Sequence, residues 1–86
     1  MLRYTVMVEC PDVVQDKFAV GCAIGRLIDN NGWEVIRTYR DDKVKAAITM
    51  LGFDRETGAA KACALIDDEG IAGVTVYPTE ITKSLE

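Results

Sequence analysis

Along this chain the spacing of apolar residues switches from two to about 3.6 and back, twice over. Leu2, Tyr4, Val6 and Val8 alternate with Arg3, Thr5, Met7 and Glu9, as in a strand with one buried face. Cys10-Pro11-Asp12 ends that stretch, and Val13–Asn30 follows a helical period. Asp12 is placed to cap this helix, with Gln15 at the reciprocal capping-box position. Val14, Phe18, Gly21, Gly25 and Ile28 fall on one helical face, and Val20, Ile24 and Leu27 widen it. A face that broad suits a helix touching both a sheet and a second helix. Asn30-Asn31-Gly32 supplies the stop, with a residue suited to a left-handed cap.

Trp33–Arg40 is rich in aromatic and β-branched residues, and Asp41-Asp42 breaks it from a further extended stretch, Lys43–Phe53. A β-hairpin is the economical reading. In its second arm Val44, Ala46, Ile48 and Met50 share one face and are expected inward, leaving Ala47, Thr49 and Leu51 outside. In its first arm Trp33, Val35 and Tyr39 share their face with Arg37, so the buried side is undecided; one residue of slip reverses it. Val44–Leu51 also fits a helical period, but Gly52 and Gly58 disfavour one helix across the region. Asp54 can cap a second helix, Arg55–Glu69, whose inner face reads Ala59, Ala62, Cys63 and Ile66. Gly70 or Gly73 then introduces a last strand, Gly73–Tyr77.

The resulting order is βαββαβ in a single α+β domain spanning residues 1–86. It predicts a two-layer sandwich with a four-stranded antiparallel sheet and two helices on one face. This order resembles the ferredoxin-like superfold, which hosts many unrelated functions and implies none of them. Heavy-metal-binding domains of that fold place CxxC after the first strand, where this chain has Cys10-Pro11-Asp12. RNA-recognition motifs need rings on the third strand, which here reads Lys45-Ala46-Ala47-Ile48-Thr49-Met50. Acylphosphatases use a glycine-rich, arginine-bearing loop after the first strand, and none is present. Regulatory domains of the ACT type, which sense small molecules, have looser requirements, and the chain looks somewhat like them.

Charge narrows the functions further. Ten Lys and Arg against fourteen Asp and Glu give a formal charge of −4. Without clustered cations the chain is not expected to bind nucleic acid or an anionic membrane surface. No apolar run reaches transmembrane length and no signal segment is legible, so a cytoplasmic location is expected. The three cysteines, Cys10, Cys22 and Cys63, form no CxxC pair, in keeping with a reducing compartment. The chain has no histidine, the commonest general base and metal ligand. No cofactor or metal is expected, and catalysis would fall to a carboxylate such as Glu9 or Asp12.

Four features are candidates for function. The fold gathers Glu9, Asp12, Asp16, Asp41, Asp42, Asp67, Asp68 and Glu69 at one end, offset nearby by Lys17, Arg40 and Lys43. Asp67-Asp68-Glu69 closes a helix, where the dipole disfavours anions; a docking surface for a basic protein, a carboxylate cation site or a merely solvated end would each account for it. Cys10 sits before a helix N-terminus, but Glu9 and Asp12 oppose a thiolate there; Cys22 and Cys63 read as core. The stripe Gly21-Cys22-Ala23-Ile24-Gly25, facing Ala59–Ala64, suggests close approach of the two helices or a helix-mediated dimer. Last, the outer sheet face is more apolar than a solvated face needs to be, and Pro78 blunts the final strand, leaving Trp33–Arg40 as the freer edge.

The expectation is a non-catalytic protein-binding module that modulates or inhibits a larger partner with a basic surface, of the kind found among phage and mobile-element accessory proteins. It is expected to be a homodimer. Its contact residues would be Asp41, Asp42, Asp67, Asp68 and Glu69 at the acidic end, with Trp33, Tyr39 and Tyr77 as aromatic anchors. The alternative is an ACT-like sensor with its ligand at a dimer interface near Cys10–Val14.

Overall fold

The computed structural model describes residues 4–71 and 73–80. Its elements run β1 (Tyr4–Pro11), α1 (Lys17–Asn31), β2 (Glu34–Asp41), β3 (Ala46–Phe53), α2 (Glu56–Asp68) and β4 (Thr75–Glu80). The sheet order is β2-β3-β1-β4, with every neighbouring pair antiparallel. Each helix crosses over one intervening strand, α1 over β3 and α2 over β1, which interleaves the two βαβ units. The protein is an α+β sandwich of ferredoxin-like topology.

The main core lies between sheet and helices. Val6, Val8 and Leu51 meet Val20 and Ile24 of α1 and Ala59, Ala62 and Ile66 of α2. Leu51 pairs with Val6, and Thr49 with Val8, so the odd-numbered residues of β3 face the helices. This reverses the facing expected from sequence. The strand carries apolar residues at both parities, Ala46, Ile48 and Met50 beside Ala47 and Leu51, so alternation alone does not choose a side. The even set instead forms a smaller cluster on the open face, where Ala46, Ile48 and Met7 are buried and Tyr39 and Met50 pack around them. Val44 belongs to the hairpin turn and is exposed.

β2 resolves its ambiguity through a bulge. Val35 pairs with Leu51, but Arg37 pairs with Met50, so the register shifts by one residue between them. Val35 therefore turns to the helix side, while Arg37 and Tyr39 turn to the open face. Simple alternation would have kept all three together. Trp33, just before the strand, stands edge-on to Phe53 at 6.2 Å.

Both helix starts differ from expectation. The helix α1 begins at Lys17, and Asp16 caps it by accepting the Ala19 N–H at 2.9 Å. Asp12 lies four residues earlier, in a turn where the Val14 N–H donates to the Pro11 carbonyl. At α2 the cap position is Arg55, and no side chain there, Asp54 included, accepts a capping hydrogen bond. The late start of α1 leaves Phe18 outside the buried face of Val20 and Ile24, and it is 82% exposed. Gly32 ends α1 in the left-handed conformation, its N–H donating to the Ile28 carbonyl.

The glycines of α1 do not mark a close approach. A Cβ built on Gly21 or Gly25 would meet nothing within 4 Å. Cys22, expected in the core, is exposed, whereas Cys63 is half-buried.

Candidate functional site

The acidic end forms where three connections converge. The Asp12 N–H donates to the Lys45 carbonyl, which ties the β1–α1 turn to the hairpin. Val14 lies close enough to Gly73 that a Cβ there would sit 2.7 Å from Val14 Cγ2, which ties the same turn to the α2–β4 connection. The sheet register agrees, setting Asp41 opposite Ala46 and Ala46 opposite Pro11.

Within this end the carboxylates divide by occupation. Arg40 donates from Nη1 and Nη2 to both oxygens of Asp12, at 2.8 and 2.6 Å, and from Nε to Asp42 at 2.8 Å. Lys17 adds a 4.0 Å contact to Asp12. Asp41 accepts from the backbone N–H of Lys43 at 2.9 Å and of Val44 at 3.4 Å, shaping a turn in which Lys45 takes a positive φ of 54°. Asp16 is the α1 cap. These four acids therefore have local structural partners. Asp67, Asp68 and Glu69 are exposed and make no side-chain hydrogen bond or ion pair among the described residues. No group among those residues is arranged to hold a metal ion.

The Arg40 hydrogen bonds hold the Asp12 carboxyl below its ordinary value of 3.8, and Asp12 and Asp42 push the guanidinium upward in turn. A lowered carboxylate pKa stabilises the fold at and above about pH 4, and this is lost as pH falls through the folded-state value. Asp12→Asn should accordingly lower the melting temperature at neutral pH by no more than a few degrees, since the pair is solvent-exposed. The gap to wild type should close in strong acid and shrink with added salt. A gap that persists in acid strong enough to protonate Asp12 in the folded protein would mean that it acts through something other than its charge.

An open groove of about 630 Å³ borders the α2–β4 connection, which follows the unpartnered acids in the chain. Its walls are Val13, Val14, Ala19, Val20, Ala23 and Ile71, with Asp16 at the N-terminus of α1. It exists because α1 starts late and meets the sheet through few side chains, leaving the space towards the α2–β4 connection unfilled. Val13 is 86% exposed at its rim. A second, smaller groove of about 250 Å³ runs under the other side of α1, between Gly21 and Gly25 and the β2–β3 half of the sheet. Cys10 lines that groove. Neither groove was legible in the sequence, although a valine pair next to a helix start is an available signal for the first.

The three aromatic candidates separate. Trp33 is half-buried against the main core, at the far end of β2 from the hairpin. Tyr39 packs on the open-face cluster, and the Arg37 guanidinium lies 4.3 Å from its ring centroid. Tyr77 is on the same face beside Met7, and burial followed by the Glu9 charge raises its phenol above the ordinary range. Burial, followed by the Asp67 charge, likewise raises the Cys63 thiol, which works against a reactive thiolate there. No helix among the described residues is long and apolar enough to cross a membrane. Compared with known protein families, curated proteins and solved structures, the chain matches none of them.

Proposed function

We propose that the protein is a non-catalytic binding module that docks a protein partner at its acidic end and so modulates or inhibits it. The observation that carries this reading is an open apolar groove whose wall residue Ile71 closely follows, along the chain, three unpartnered carboxylates. Ile71, in the groove wall, follows Glu69 by two residues. Anions in the last turn of a helix work against its dipole, and no cation among the described residues offsets them. A basic segment bearing an apolar side chain would satisfy both features, the side chain filling the groove and the cations meeting Asp67, Asp68 and Glu69. Asp41 and Asp42, partly engaged by the turn and Arg40, would form the rim. The open sheet face, with Tyr77 and Tyr39, is a further surface for such contacts.

The test is capture from native host lysate with wild type beside Asp67→Lys/Asp68→Lys/Glu69→Lys. Partner capture should fall at least about tenfold, while the melting temperature holds or rises because cations suit a helix C-terminus. Undiminished capture, or a variant that unfolds, would overturn the role assigned to these residues. The sensor reading gains one observation: the larger groove touches the Val13–Asp16 turn and lies in the size range of small-ligand sites. A metabolite retained by the undenatured protein in native mass spectrometry would favour it.

A further inference from the structure

The two edges of the sheet are β2 and β4. β4 contains Pro78, which has no N–H to offer a further strand. β2 contains no proline, and beyond its bulge the five residues Arg37–Asp41 pair regularly with Met50–Ala46 of β3. The outer side of that segment is a ready template for another strand. Charges along an edge ordinarily discourage such pairing, but here their order is self-complementary.

We infer that a second copy of this chain pairs antiparallel with β2, about a two-fold axis at Tyr39, to make one continuous eight-stranded sheet. In that register Arg37 lies opposite the partner's Asp41, Thr38 opposite the partner's Arg40, and Tyr39 opposite the partner's Tyr39. Both Arg–Asp pairs are on the open face with the two tyrosines, and each of the two joins opposite charges. The competing registers are each less favourable. A two-fold at Arg37 or at Arg40 sets arginine against arginine, and a shift by half a step puts open-face residues against helix-face residues. A two-fold at Thr38 runs the ladder into the bulge and leaves Arg37 against tyrosine.

The two charged side chains are already positioned for this. Arg37 is drawn over the Tyr39 ring at 4.3 Å. Asp41 spends Oδ1 on the Lys43 and Val44 N–H groups, which leaves its second oxygen for a guanidinium. Val35, Ile36 and Val44 are 41%, 38% and 54% exposed on or beside the same edge, so the second copy would also remove apolar surface from water.

The inference stands apart from the partner reading: a chain that dimerises yet captures no other protein supports the one and sinks the other. Its test is cysteine cross-linking in a Cys22→Ser background, with that background alone as the control for Cys10 and Cys63. At a two-fold, Tyr39→Cys meets its own copy at roughly 5 Å between Cβ atoms, close enough for a disulfide after small adjustment. Arg37→Cys would be roughly 13 Å from its own copy by strand rise and would not cross-link. Mild oxidation should therefore give disulfide dimer at least about tenfold faster with Tyr39→Cys than with Arg37→Cys. Arg37→Glu, otherwise wild type, keeps the test decisive should Tyr39→Cys fold poorly. In sedimentation, its dissociation constant should rise at least about tenfold, because two attractive pairs become repulsive. Equal cross-linking at both positions, a wild type that stays monomeric at high concentration, or an Arg37→Glu variant that dimerises as wild type does would each overturn the inference.

Discussion

Leu51→Ala should destabilise the protein by about 2–5 kcal/mol, as removal of a fully buried leucine does when its surroundings close only in part. On the usual per-residue scale an 86-residue domain has roughly 4–13 kcal/mol in total. The variant therefore approaches the limit of folding, and chemical denaturation should show its midpoint displaced to low denaturant. Met50→Ala, one residue away, should cost well under half as much, because Met50 is half-buried on the open face. The comparison decides the orientation of β3. A larger loss at Met50 than at Leu51 would mean that the strand presents its even-numbered residues to the helices, and the main core as described would be wrong.

Gly21→Ala/Gly25→Ala should stabilise the protein by about 1–2 kcal/mol, raising the melting temperature by roughly 5–15 °C. Both residues lie within α1, where glycine is about 1 kcal/mol worse than alanine. Neither new methyl group meets an atom within 4 Å. Gly73→Ala is the opposing control. Its φ of +83° is one that alanine adopts with strain, and its Cβ would press Val14 Cγ2. That substitution should destabilise by about 1 kcal/mol or more. A double α1 variant that loses stability would show that the glycine stripe is packed against something after all, and a helix-mediated contact would return to consideration.

The candidate site was legible in part. Topology alone brings the β1–α1 turn, the hairpin and the α2–β4 connection together, so the convergence of acids follows from the order of elements. Which acids are free does not follow. Asp12 and Asp42 look no different in sequence from Asp67 and Asp68. Arg40 engages the first two because β2 carries it to the edge of the hairpin, where its guanidinium reaches the β1–α1 turn 28 residues away. Asp12 also looked like the α1 cap, since an aspartate precedes an apolar helical run. Asp16 serves instead, because Pro11 and the following turn spend four more residues before the chain can enter the helix.

What the sequence by itself determined is what depends on neighbours along the chain. Alternation, helical period, glycine stops and polar breaks place six elements in βαββαβ order, and that order leads to the sheet arrangement because crossovers and hairpins have few options. The absence of histidine and the excess of acid are likewise composition, independent of fold. Tertiary structure decided the choices between local alternatives of nearly equal energy. A strand apolar on both faces can turn either way, and Leu51 lies inward because its register sets it against Val6 beneath the helices. In β2 a single extra residue sends Val35 to one face and Tyr39 to the other, a difference of packing that alternation cannot encode. The groove beside α1 is also a property of the assembled layers, because empty space depends on how far two elements stand apart and no residue pattern within either one records that distance.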